Sequence, residues 1–153
     1  IAVTLHACGK FISMKNSNEC GYTLIMSTEI IGLSHLEREI IANVVRYNIR
    51  DFDYDMMQLE TEAGQDLAGV SDRTAITILI AKLTAILRLA NSMDKTHKSK
   101  LIDCRMAVRE GQLVITTGYK GDLALESASF EQKAAFFEEI FGIRPVLKQK
   151  RRV

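Results

Sequence analysis

Ile102-Asp103-Cys104-Arg105-Met106-Ala107-Val108, then Glu110-Gly111, then Leu113-Val114-Ile115-Thr116-Thr117 is where the chain changes its period. On both sides of Glu110-Gly111 apolar and polar residues alternate, as they do in half-buried strands. The dipeptide between them suits a two-residue hairpin turn. Upstream, apolar residues recur at helical spacing instead. The fold class expected is therefore α+β: a mainly helical bundle over 1–100, then a small β-β-β-α-β module over 101–153. In that module Leu123–Leu125 is the third strand and Phe130–Phe141 an amphipathic helix closed by Gly142. Arg144–Lys150 is the last strand, with Pro145 at its start.

Working back from the hairpin, the longest helix is expected from Arg73 to about Met93, capped by Asp72. Ile76, Leu79, Ile80, Leu83, Ile86, Leu87 and Ala90 would form its wide apolar face. Asn48–Ser71 lacks periodicity and is acidic in its first part, so it reads as a mobile loop with at most one short helix. Before it, Ser34-His35-Leu36-Glu37 is a capping-box pattern opening a helix to about Tyr47. Ile40, Ile41, Val44 and Val45 are its expected buried stripe, with Glu37, Arg38 and Glu39 in water. Glu19–Thr28 reads as a short helix and Phe11–Ser17 as a loop. Residues 1–8 read as the end of a helix, with Gly9 as its stop. Ile1 stands in the middle of an apolar run, as in a piece cut from a longer chain.

The 153 residues carry a net charge of +1, which leaves no chain-wide drive toward nucleic acid. Cys8, Cys20 and Cys104 are odd in number and form no CxxC pair, so a disulfide framework or zinc ribbon is not expected. A reducing, cytoplasmic setting follows from that usage. No apolar run is expected to reach the ~18 residues of a membrane span. Thr74–Leu89 comes nearest, interrupted by Lys82 and Arg88. Gly9-Lys10 is not a P-loop, because Thr4 replaces the earlier glycine and Phe11 the Ser or Thr.

Charge is concentrated locally. Lys10 and Lys15 flank the first loop, Arg46 ends the capped helix with Arg50 just beyond, and Lys95, Lys98 and Lys100 follow the long helix. Lys148, Lys150, Arg151 and Arg152 form the tail. Basic residues in a last helical turn are also what the helix dipole favours, and a solvated surface is the plain alternative. A row of phosphates would need several such groups on one face. Arg46 is the first candidate, because packing of its helix positions its stem. An ion pair within the bundle, to Asp94 or a loop carboxylate, is its alternative role.

The segment Leu5-His6-Ala7-Cys8-Gly9-Lys10 resembles the Leu-His-Asp-x-Gly-Lys segment of HD-domain phosphohydrolases. Over Leu5 to about Lys100 the chain resembles the HD-like domain of the exopolyphosphatase / guanosine pentaphosphate phosphohydrolase family. Glu37-Arg38-Glu39-Ile40-Ile41-Ala42-Asn43-Val44-Val45-Arg46-Tyr47 and Ala81–Asp94 carry the likeness most strongly. The part from Leu101 on resembles that family's small C-terminal domain. The resemblance implies an HD-like bundle and a parent phosphoanhydride hydrolase whose catalysis and magnesium belong to an N-terminal actin-like pair of lobes. It implies a channel for polyphosphate, packing against those lobes, and a homodimer.

His6, Ala7 and Asp94 are the vestigial HD positions that the resemblance marks. Ala7 replaces a metal-ligating Asp, Ser17 and Cys20 stand where relatives have His, and Asn48 follows Arg46-Tyr47 where they often carry His. No metal and no catalytic residue is therefore expected in this chain, and no cofactor of its own. The expected role is polyphosphate or other polyanion binding through Lys10, Lys15, Arg46, Arg50, Lys95, Lys98 and Lys100, with regulation and dimerisation but no turnover. A metal-dependent HD phosphohydrolase acting on a nucleotide and a ligand-free dimerisation domain are the alternatives. Polyphosphate and pppGpp are left open as the parent's substrate. Neither membrane nor nucleic acid is an expected partner.

Overall fold

The computed structural model describes residues 1–54, Leu59 and 70–150. Most of the segment expected as a mobile loop, and the tail's Arg151 and Arg152, lie outside the described residues. Contacts divide the chain into two compact units, Ile1–Thr84 and Ala85–Val153.

The first unit holds α1 (Ala2–Leu5), a 3-10 turn (Cys8–Phe11), α2 (Ser17–Ser27), α3 (His35–Tyr47) and the start of α4 (Val70–Met93). Gly9 does not stop a helix in the left-handed manner expected. It is buried inside the 3-10 turn. A Cβ there would stand 1.8 Å from the Ser17 carbonyl oxygen and 2.5 Å from the Gly21 nitrogen. Glycine is needed because two backbones meet, not because the turn needs a positive φ. Beside that contact, Tyr22 and Ile25 of α2 pack on Ala42 and Val45 of α3, with Leu5, Cys8, Met26, Ile30 and Ile41 at the edge.

α3 begins as its sequence dictates. The Glu37 amide donates to Ser34 Oγ at 3.2 Å, and the Ser34 amide donates to Glu37 Oε2 at 2.8 Å. Two amides that would otherwise lack partners are satisfied reciprocally. Its covered face differs from the expected stripe: Glu39 is buried with Ala42, Asn43, Val44, Val45 and Tyr47, while Ile40 and Ile41 are half-buried. Glu39 lies one turn before Ala42 and Asn43 and shares their side of the helix, so position overrode polarity. The Asn43 side-chain amide donates to the Glu39 carbonyl at 3.0 Å.

α4 starts at Val70, so Asp72 lies inside it and is not its cap. Of the expected apolar face, Ile76, Ile80 and Leu87 are buried, but Leu79, Leu83, Ile86 and Ala90 are exposed. The covered row is Ile80, Thr84, Arg88 and Ser92 with Ala81, Ala85 and Leu89, each four residues apart. A helix apolar nearly all round has no periodicity from which one face can be chosen. By length and composition alone Arg73–Met93 is apolar enough to cross a membrane, contrary to the sequence expectation, with 39% of that window buried in the protein. Thr84, Arg88 and Ser92 on it are buried.

The second unit comprises the end of α4, β1 (Arg105–Arg109), β2 (Gln112–Thr117), α5 (Ala124–Phe141) and β3 (Arg144–Gln149). Glu110 and Gly111 both have positive φ, 50° and 74°. A primed two-residue turn demands this and glycine admits it. β1 and β2 are antiparallel with Arg109 opposite Gln112; β2 and β3 are parallel with Val114 opposite Val146, in the order β1-β2-β3. Parallel pairing needs a crossover, and α5 supplies it. Pro145 sits in the edge strand β3, where a missing amide is tolerated.

Leu123–Leu125 is not a strand. α5 starts at Ala124, six residues before the expected Phe130, and the module is β-β-α-β. Three residues cannot separate a period of two from one of 3.6. The deciding contacts are the Asp122 carboxylate, which accepts from the Ala124 amide at 2.8 Å, and the buried row Glu126, Phe130, Ala134 and Phe137. Phe130 and Phe137 of that row pack with Ala85, Leu89 and Ile115. Ala85 and Leu89 of α4 belong to this core, and the contact units divide at Thr84/Ala85. Gly142 closes α5 at φ 69°, its amide donating to the Glu138 carbonyl at 2.8 Å, as its position implied.

Ser34→Ala removes the capping hydroxyl and is expected to cost about 1 kcal/mol of stability. Gly9→Ala is expected to cost more, about 3 kcal/mol, because the atoms it meets are backbone. Urea unfolding followed by far-UV circular dichroism measures both.

Candidate anion-binding site

Packing of α2 on α3 brings the C-terminal turn of α3 beside the first turn of α2. Arg46 donates from Nε to Glu19 Oε1 at 3.0 Å, and its Nη2 lies 2.9 Å from Oε2, a two-point grip on one carboxylate. Arg50 Nη1 donates to the same Oε1 at 2.9 Å. The Arg46 guanidinium also lies over the Tyr22 ring, 4.8 Å from its centroid, which fixes its plane. The side chains of Arg46, Glu19 and Arg50 are 26%, 41% and 46% exposed, so the cluster is held in place yet open to solvent.

The charges reinforce one another. Burial pushes the Glu19 carboxyl upward, but hydrogen bonds and charge from Arg46, then Arg50, outweigh it and hold it below the ordinary range. Burial pulls Arg46 down, and its bonds to Glu19 outweigh that and raise it. The two directions agree: the pair stays ionised.

Of the expected polyanion contacts, Arg46 and Arg50 are therefore together on Glu19. Lys10 is exposed on the 3-10 turn that Gly9 pins to α2, and Lys15 is exposed in the loop before α2. Lys95 and Lys98 are exposed in the second unit. Lys100 has another task, because its ammonium turns inward. It donates to the Asp122 carbonyl at 2.9 Å and to Glu126 Oε2 at 3.1 Å, and the Thr96 hydroxyl donates to the other oxygen of Glu126. Glu126 is fully buried. The Thr96 hydrogen bond lowers its pKa first; burial opposes this, Lys100 adds to it, and the carboxyl is pushed down to about 2. Sequence reasoning missed Glu19, Tyr22, Thr96 and Glu126. The partners stand 27 residues apart in one case and 26 in the other, so no local spacing announces them.

The positions that the HD resemblance marks, His6, Ala7 and Asp94, have local surroundings of their own. His6 Nδ1 lies 2.6 Å from the Val3 carbonyl, which can only accept, so the ring proton sits on Nδ1. A bond of that kind backs many metal-bound imidazoles. Ala7 beside it offers no donor, and no group of three His, Cys, Asp or Glu residues able to hold a metal forms among the described residues. Asp94 Oδ1 instead accepts from the Ser99 amide at 2.9 Å, bracing a loop in which His97 and Ser99 have positive φ.

Helices followed by a three-stranded mixed sheet define an α+β protein, with a half-buried and an exposed arginine on one carboxylate. Residues 1–134 match the family model Ppx/GppA phosphatase, domain III, and the chain belongs to that family. No curated protein matches the chain.

Glu126 makes a specific contribution to acid stability. Its folded pKa of about 2 lies below the ordinary 4.5, so its contribution is complete above 4.5 and is lost as pH falls through about 2. Wild type is expected to lose stability over that window more steeply than Glu126→Gln, which is less stable at neutral pH. The chain lacks tryptophan, so urea unfolding at a series of pH values is read by circular dichroism.

Proposed function

We propose that this chain is the polyphosphate-binding and regulatory region of an exopolyphosphatase-like or pppGpp phosphohydrolase-like enzyme and has no turnover of its own. The observation that carries the reading is the Arg46–Arg50 pair. Two guanidiniums, one stacked on Tyr22, grip a single carboxylate with geometry that equally suits the oxygens of a phosphate. Exposed Lys10 and Lys15, on the segments before α2, are the proposed further contacts for a row of phosphates. Lys95 and Lys98 form a second patch; Lys100 drops out, since Glu126 occupies it.

The magnesium of the family's chemistry belongs, on this reading, to the parent's actin-like lobes, with which this region packs. The exposed Leu79, Leu83 and Ile86 of α4 favour such packing or a homodimer. Free Cys8, Cys20 and Cys104 suit a reducing cytoplasm.

Arg46→Ala is expected to weaken polyphosphate binding by about 1–2 kcal/mol, the worth of its charge-assisted hydrogen bonds. The difference shrinks as salt is raised. Calorimetric titration at two ionic strengths measures it. Unchanged binding with a lowered melting temperature assigns Arg46 to the scaffold and removes the site.

A further inference from the structure

We propose that Glu19 is an internal competitor for the anion, occupying the two arginines until a phosphate chain displaces it. The inference rests on the polyanion reading above and deepens it by naming what regulates the site. Four features of the cluster lead to it.

First, the grip is that of an anion site already filled. Arg46 presents Nε and Nη2 to the two oxygens of Glu19 at 3.0 and 2.9 Å, and Arg50 adds Nη1 at 2.9 Å. Secondly, the guanidinium of Arg46 does not depend on Glu19 alone for its position, because the Tyr22 ring lies beneath it. Withdrawal of the carboxylate leaves the ring and the packed stem in place. Thirdly, the carboxylate is 41% exposed, so it can swing into water without being stranded in the core. A buried carboxylate such as Glu126 could not do so. Fourthly, the exchange is nearly balanced. One charged acceptor replaces another on the same donors, so the number of charge-assisted bonds is kept while Glu19 regains its hydration. A single phosphate gains little from such an exchange. A chain of phosphates adds contacts at Lys10 and Lys15 and prevails. Glu19 thus sets a threshold of anion length and charge.

The test compares wild type, Glu19→Gln, Glu19→Ala, Glu29→Gln and the triple variant Glu19→Gln/Arg46→Ala/Arg50→Ala. Each is titrated calorimetrically with linear polyphosphate of one defined length and with inorganic phosphate. Glu29 is an exposed carboxylate in the same unit and controls for net charge. Glu19→Gln and Glu19→Ala are expected to bind polyphosphate about tenfold more tightly than wild type, one charge-assisted hydrogen bond being worth at least that. Both gain measurable affinity for inorganic phosphate, Glu29→Gln changes less than twofold, and the triple variant loses the gain.

A gain no larger than that of Glu29→Gln overturns the inference. The polyanion reading then survives provided that Arg46→Ala still weakens wild type. Lower melting temperatures of both Glu19 variants with unchanged affinity make Glu19 a purely structural brace and also overturn the inference. If no variant binds polyphosphate, both fall. A silent wild type beside a Glu19→Gln that binds through Arg46 and Arg50 supports the competitor directly.

Discussion

The first unit depends on a place where there is no room for one carbon atom. Gly9 meets the backbone of Ser17 and Gly21 so closely that any side chain would enter the Ser17 carbonyl. That contact locks the 3-10 turn to α2 and sets where Lys10 emerges. It also sets the start of α2, hence the position of Glu19. Tyr22 and Ile25, further along the same helix, then dock on Ala42 and Val45. The docking carries Arg46 to Glu19. A steric limit, a small apolar core and an ion pair follow in sequence, each fixed by the one before.

Two carboxylates, each at the centre of an ion-pair cluster, show how burial separates a fixed ion pair from an exchangeable one. Glu126 is sealed, bonded at both oxygens and deeply acidified; removing its partners would leave a charge in the interior, so the arrangement is rigid. Glu19 has stronger-looking partners, two arginines against one lysine, but sits at the surface. Its interactions are screened and exchangeable with water or another anion. The cluster with more charge is therefore the more adaptable one. For the same reason Lys100 serves the second unit as a strut, while Arg46 and Arg50, held at the surface, are the proposed receptors.

α4 extends the same theme. Its buried row includes Thr84, Arg88 and Ser92, while Leu79, Leu83 and Ile86 face outward. Arg88 is accommodated because its guanidinium lies over the Phe136 ring, 4.5 Å from the centroid. A planar, weakly hydrated guanidinium can stack on an aromatic face and so tolerates burial, whereas the Lys100 ammonium is accommodated by its carboxylate partner. Hydropathy alone would invert this helix, or place it in a membrane, because it weighs the side chain and not what that side chain meets.

The sequence by itself determined whatever depends on neighbours within a few residues. The Ser34/Glu37 capping box, the Glu110-Gly111 turn, the Gly142 cap, the change from helix to strand near residue 101 and the resemblance to the family were all legible there. Backbone sterics and local hydrogen bonds act at that range and leave signatures at fixed spacing. Tertiary structure alone decided which side of α3 covers Glu39, which face of α4 is buried, that Leu123 precedes a helix, and that Gly9 is a point of contact instead of a stop. It alone paired Arg46 with Glu19 and Lys100 with Glu126. The candidate cations were visible in the chain, but their carboxylates were not. An ion pair is made by Coulombic attraction across space, and packing brings its two ends together without any regularity in the intervening sequence.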